Sequence, residues 1–366
     1  MKILYMIPWF HAGTGQETML QQIITYGNGK WESDLLSNKF HLERGIFPDG
    51  YSVGSKRMKR YYSLMLPHQA LPPWAKEYNI IHIKSGAPYL KWVSQKEIPL
   101  IYTLHGPWIT STLGLKGKFQ GLLANITESK SLLEKADVLV GVSKWICEYY
   151  KNSMGLVLKY IPDTFNLDLY RYTEKMPDVN NLKLLIVGDW DGFKGRKRQH
   201  EFIDRMPFIA REFPGIKLRL VGLGKESMQR LSEYANKLGC AEFIELYGKV
   251  PETELAHLYS ISDILVVPST FEGFHRPTIE AMASGTPVLA RDTTSIVGPL
   301  YSAHFLHVRE SGGGDFFHVS YDNVVEKIWT IIKNYKTMSI KGMEYAKQFD
   351  SKNVLPAYEK LYYSLI

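Results

Sequence analysis

Two carboxylates eight residues apart, Glu272 and Glu280, stand on either side of a step from loop to helix. Residues 264–267 are all apolar and predict a strand buried on both faces. Residues 268–275 are rich in turn formers. Pro277 then stands where a helix has its first residue, Gly285 just past its end, and Pro287 beyond. The cap position falls on Arg276, which offers no acceptor, so the N–H groups of Thr278 and Ile279 are expected to be free. A helix start of that kind attracts anions, phosphate in particular. At this separation the two glutamates are no same-helix pair; one can reach a ligand from the loop and the other from the first turn. The plainer alternative leaves Glu272 solvated and Glu280 serving only the helix dipole.

Cations follow a second apolar strand at residues 182–187. Lys194, Arg196, Lys197 and Arg198 are four cations in five positions, enough to neutralise a diphosphate. The same loop contains Asp189-Trp190-Asp191, a D-x-D pattern that binds metals in some transferases but is frequent by chance. His105 ends a strand at residues 100–104 and precedes Gly106 and Pro107, in the kind of strand-end loop where doubly wound folds place ligands. A purely structural histidine is the alternative. Trp108 can stack on a sugar ring or simply pack. Strand 2–7 is followed by Gly13, Gly15 and Glu17 and then a helical pattern through Met19, Leu20, Ile23 and Ile24. Thr18 replaces the third glycine of G-x-G-x-x-G, which argues against a dinucleotide site.

The stretch Glu-Gly-Phe-His-Arg-Pro-Thr-Ile-Glu at 272–280 resembles the E-x7-E element of retaining GT-B glycosyltransferases of the family-4 type. The flanking Ser-Asp-Ile-Leu-Val-Val-Pro-Ser and Gly-Thr-Pro-Val fit the same pattern, and Thr-Leu-His-Gly at 103–106 resembles the family's histidine motif. Ile161-Pro162-Asp163 resembles its I-P-N-G hinge. The resemblance implies an α/β fold of two Rossmann-like domains facing a cleft, with a C-terminal helix packing back on the first. It implies an acceptor domain at 1–165, a donor domain at 166–345 and that helix at 346–366. It places His105 and Glu272 at the transferred sugar and Glu280 at the nucleotide ribose. Gly13, Gly15, Lys194, Arg196, Lys197, Gly248, Val250, Phe274, His275 and Arg276 complete the donor contacts. Two positions depart from the family: His275 stands where a small residue is usual, and Asp189 where an Arg is.

The implied reaction moves a hexosyl group, with retention, from a nucleoside diphosphate sugar to a saccharide or lipid-linked acceptor, as in cell-surface polysaccharide or glycolipid synthesis. No metal and no cofactor is required. A sugar-nucleotide epimerase of the same fold and a non-catalytic nucleotide-sugar binder are the alternatives.

The remaining elements must position these residues. The chain has 366 residues, enough for two cores, with 45% hydrophobic and 22% charged content, both ordinary for a globular protein. Two cysteines make no disulfide framework and no metal cluster. The start lacks a signal-peptide pattern and no run reaches spanning length, so a cytoplasmic protein is expected, peripheral to a membrane at most. Residues 1–165 carry 19 Lys and Arg against 12 Asp and Glu, and the remainder 25 of each, so the whole +7 excess lies in the first half. Lys56, Arg57, Lys59 and Arg60 are its densest run, beside Tyr61 and Tyr62; with Trp108 they are the candidate acceptor contacts. An anionic membrane surface is a candidate partner; nucleic acid is not, for want of any recognised module. Residues 163–181 are the best linker, Gly312 to Gly314 read as a flexible loop, and residues 355–366 as an amphipathic helix.

Overall fold

Apolar runs too short for helices become parallel strands when helices cover both faces, and this chain builds two such sheets. The computed structural model describes residues 1–7, 15–37, 76–84, 97–106, 130–295, 302–319 and 323–366. The described residues form two units. One holds the residues up to Thr164 together with Ser351–Ile366, and the other holds Phe165–Asp350.

In the first unit the strands are β1 (Lys2–Ile7), β2 (Glu32–Ser37), β3 (Ile80–Ile83), β4 (Leu100–Leu104), β5 (Val138–Gly141) and β6 (Lys159–Tyr160), in the order β2-β1-β3-β4-β5-β6. All pair in parallel. The helices are α1 (Gly15–Gly27), α2 (Lys130–Leu133) and α3 (Lys144–Met154). The second unit repeats the plan with β7 (Lys183–Val187), β8 (Lys217–Val221), β9 (Ile244–Leu246), β10 (Ile264–Val267), β11 (Val288–Arg291) and β12 (Gly314–Phe317). Their order is β12-β11-β10-β7-β8-β9, again all parallel. Its helices are α4 (Gln199–Ile203), α5 (Met206–Glu212), α6 (Lys225–Lys237), α7 (Glu252–Ser260), α8 (Arg276–Ala283), α9 (Ala303–Ser311), α10 (Val324–Lys333) and α11 (Tyr335–Ala346).

The last helix, α12 (Ser351–Tyr363), belongs to the first unit. Its Val354, Leu355, Tyr358, Leu361 and Tyr362 are buried in one cluster with Met19, Leu20 and Ile23 of α1. Each such side chain contributes about 1.5–3 kcal/mol by leaving water, so the final segment is integral to that core.

Each sheet has a switch point. In the second unit the chain leaves β7 toward β8 and β9, then returns to β10 on the other side of β7. The loops after β7 and β10 therefore leave in opposite directions at adjacent strand ends, which is where open α/β sheets bind ligands. In the first unit β1 and β3 stand in that relation.

Three sequence readings change. β2 is an edge strand whose Glu32, Ser33 and Asp34 hide it from any search for apolar runs. The Gly312–Gly314 segment is no flexible loop: Gly312 ends α9 in the left-handed region at φ 62, and Gly314 starts β12 beside Val288. A Cβ on Gly314 would lie 1.9 Å from the Val288 carbonyl oxygen, so only glycine fits. The polar stretch at 163–181 is fastened rather than free. Lys175 donates to the carbonyls of Tyr259, Ser260 and Ser262 and to the Thr286 hydroxyl, closing the C-terminus of α7, and Tyr170 is buried.

Candidate active site

The loop after β7 is shaped by a carboxylate. Asp191 accepts the backbone N–H of Arg196 at 2.8 Å and that of Lys197 at 3.0 Å, so the loop folds back on itself. Thr270 N–H donates to the Arg196 carbonyl at 2.8 Å and joins this loop to the one after β10. Gly188 ends β7 at φ 128, and the Lys197 ammonium lies 3.4 Å from where a Cβ there would be.

This folding brings three expected site residues together. Arg196 lies 2.5 Å and Lys197 2.8 Å from the two carboxylate oxygens of Glu272. The cations assigned to a diphosphate and the carboxylate assigned to a sugar form one cluster carrying two positive charges and one negative. Burial alone would raise the Glu272 carboxyl, but Arg196 and Lys197 outweigh it and hold it well below the usual carboxylate range. Burial lowers the Lys197 ammonium in spite of Glu272. Lys194 is exposed and stands apart.

The start of α8 differs from expectation. The cap is His275, not Arg276, in the left-handed conformation at φ 62. Its carbonyl accepts the Thr278 N–H at 3.1 Å, so that N–H is not free, and its Nδ1 meets the Thr278 hydroxyl at 2.7 Å. A backbone at positive φ suits glycine, which gives the physical reason for a small residue here in similar proteins. Burial pushes the His275 imidazole well below the ordinary histidine range, so it is neutral.

Arg276 and Glu280 face each other one turn apart, 3.1 Å between guanidinium and carboxylate. Glu280 also accepts from the Tyr259 hydroxyl at 3.0 Å, and Arg276 reaches Glu252 at 3.4 Å. Glu280 is buried, and burial raises its carboxyl in spite of Arg276. Gly248 and Val250 lie on the loop after β9, where the Gly248 carbonyl accepts the Gly222 N–H at 3.0 Å. Asp189, in the family's Arg position, accepts the N–H groups of Trp190 and Gly224, both at 2.9 Å. Asp189 and Asp191 thus each fasten backbone.

Sequence reasoning missed the support behind Glu272 and Phe274. Ser302 precedes α9 as a cap residue would, yet makes no side-chain cap bond. Its hydroxyl instead accepts the Glu272 N–H, and Ala303 N–H donates to the Glu272 carbonyl at 3.1 Å. His307 Nε2 donates to the Phe274 carbonyl at 2.8 Å, and the Phe274 ring is buried against the His307 and Phe349 rings. A serine before a helical run was the one visible signal.

In the first unit His105 stands at the end of β4, with Nδ1 3.7 Å from the Asp163 carboxylate. Its Nε2 is buried and has no hydrogen-bond partner among the described residues. Gly15 opens α1. Gly13, Trp108, Lys56, Arg57, Lys59 and Arg60 lie outside the described residues. Among the described residues no helix is long and apolar enough to cross a membrane.

Comparison with known proteins gives two family matches: "Glycosyltransferase Family 4" over residues 15–167 and "Glycosyl transferases group 1" over residues 191–301. The chain is 26% identical over 242 residues to the phosphatidyl-myo-inositol mannosyltransferase of Mycobacterium leprae, covering 64% of this chain and 61% of that one. It spans less than two thirds of the length of that relative, and 45% of the D-inositol 3-phosphate glycosyltransferase of Segniliparus rotundus. Its fold matches the sucrose-phosphate synthase of Thermosynechococcus elongatus with a TM-score of 0.75 at 18% identity, covering 100% of this chain and 98% of that one. It also matches Anabaena HepE, solved with UDP and glucose, with a TM-score of 0.70 at 17% identity and full coverage of both. With the parallel six-stranded sheets and the glutamate-bearing loop in agreement, the chain has the GT-B fold, and its first and second halves each match a glycosyltransferase family model.

Proposed function

We propose that this glycosyltransferase moves a hexosyl group from a nucleoside diphosphate sugar to a hydroxyl of a saccharide or lipid-linked acceptor, with retention of configuration and without a metal. The observation that carries the reading is the Arg196–Lys197–Glu272 cluster at the switch point of the second sheet. Breaking the sugar–phosphate bond leaves charge on the diphosphate. Two cations already fixed by a carboxylate stabilise that charge without reorganising at the moment of reaction. Glu272, fixed at its backbone by Ser302, offers carboxylate oxygens to sugar hydroxyls, and His105 orients the sugar. Glu280 takes the ribose hydroxyls. HepE was solved with UDP and glucose, which makes UDP-glucose the first donor to try. The +7 excess confined to residues 1–165 supports an anionic acceptor or an anionic membrane surface on that half.

Thermal-shift measurements with UDP-glucose, GDP-mannose, ADP-glucose and dTDP-glucose test the donor. The matching one stabilises the fold by about 2.7 kcal/mol at a hundred times its Kd. Product analysis follows, with and without acceptor and with EDTA; transfer is expected to survive chelation. No shift with any donor sinks the reading, and activity restored only by Mn²⁺ sinks its metal-free form.

A further inference from the structure

The first unit holds a second group of charges that the proposed transfer does not use. Lys84 follows directly on β3 at the switch point of its sheet, and its side chain is fully buried. Its one hydrogen bond among the described residues is long, 3.4 Å to the Tyr358 hydroxyl, and the Tyr358 ring centroid lies 5.1 Å away. Burial pushes the ammonium down to about 8, against the pull of the Asp163 carboxylate. A cation so placed costs stability, and a nearby opposite charge offsets part of that cost. Asp163 is that charge, itself buried, and it is the carboxylate beside His105 Nδ1.

His105 therefore has a carboxylate on one nitrogen and no described partner on the other. A carboxylate on one side of an imidazole selects its tautomer. The nearby His82 cannot take this place, because its Nδ1 meets the Tyr362 hydroxyl and its Nε2 the Thr103 hydroxyl, both at 2.8 Å. We propose that Asp163 is the positioning residue of His105, holding it as the Nδ1–H tautomer with the Nε2 lone pair left for substrate, and that the buried Lys84 ammonium supplies the compensating positive charge. The proposal rests on the reading of His105 as a sugar contact. At 3.7 Å the two groups lie just beyond hydrogen-bond reach in the free protein, and such contacts tighten when substrate binds. Where similar proteins carry Asn in their I-P-N-G hinge, the charge at 163 would be missing.

The test needs no substrate. The full chain is labelled with ¹⁵N-histidine, and long-range ¹H–¹⁵N spectra are recorded about 1.5 units above the ordinary histidine value of about 6.5. His105→Gln assigns the signal. The expected form is Nδ1–H. Asp163→Asn, whose amide can donate to Nδ1, should move it to Nε2–H, and Lys84→Met should move it part of the way. A wild-type signal in the Nε2–H form, or one unmoved by Asp163→Asn, overturns the proposal; should that variant not fold, an unmoved signal in Lys84→Met does so. With a working donor, Asp163→Asn should lower kcat about 10–100-fold with KM nearly unchanged, and Asp163→Glu should recover part. Unchanged kcat overturns the catalytic use of the pair, while the spectra stand or fall independently of transferase activity.

Discussion

The two switch points hold their charges in opposite condition. In the second unit Glu272 is met by a cation at each carboxylate oxygen, and its backbone is tied to Ser302 and Ala303. In the first unit the Lys84 ammonium has one long hydrogen bond among the described residues, and His105 Nε2 has none. One cluster is complete before any ligand arrives and contributes to folding. The other is held at a cost, which is the usual condition of groups kept for function. Complete charges should destabilise when removed, and costly ones should not.

Removing Glu272 is the strongest way to break this contrast. Glu272→Ala leaves half-buried Lys197 beside Arg196 with no counter-charge. Losing one partner of a buried pair costs about 3–5 kcal/mol, and the partial exposure of Arg196 moves the expectation to about 3. Urea denaturation measures it. The carboxyl is held well below its ordinary 4.5 in the folded state, so its contribution is present above that value. The contribution is lost as pH falls through the folded value, and Glu272→Gln should lack this acid slope. A loss under about 1 kcal/mol would mean that the cluster behaves as a solvated surface pair.

Lys84→Met is the counterpart. The downward shift from 10.5 to about 8 already includes the pull of Asp163, so the fold disfavours the charged form. A neutral side chain of similar length should stabilise the protein near neutral pH by about 1–3 kcal/mol. The unfolded chain binds the proton more tightly, so wild-type stability should rise with pH between about 8 and 10.5, and the variant should lack that rise. A destabilised Lys84→Met would show that the first cluster is as complete as the second.

The sequence made this contrast only half visible. Continuous apolar strands and the Pro277–Gly285 helix were legible because burial on both faces and the chain's turning points leave local signatures. The pairing of Arg196 and Lys197 with Glu272 was not, because it crosses some 75 residues and depends on Asp191 folding the loop. The cations and the carboxylate were each noticed, but as separate contacts to different parts of a ligand. Ser302 was hidden differently: a serine before a helix predicts a cap, and here its hydroxyl serves a loop 30 residues away. Lys84 gave no signal at all, since a lysine after a short strand normally reaches solvent.

The smallest effect concerns His275, whose backbone at φ 62 is the point where the loop after β10 turns into α8. A residue with a Cβ in the left-handed region costs about 1–2 kcal/mol that glycine does not. Glycine loses about 0.5–1 kcal/mol more chain entropy on folding, and the Thr278 hydrogen bond lost with the imidazole contributes about 0.5–1.5. These terms nearly offset, so His275→Gly should change stability by less than about 1 kcal/mol. His275→Ala keeps the backbone strain while losing the ring and its hydrogen bond, and should therefore be the less stable variant by about 1 kcal/mol. The order of the two melting temperatures is the measurement. Alanine equal to or above glycine would mean that positive φ is not what selects a small residue there.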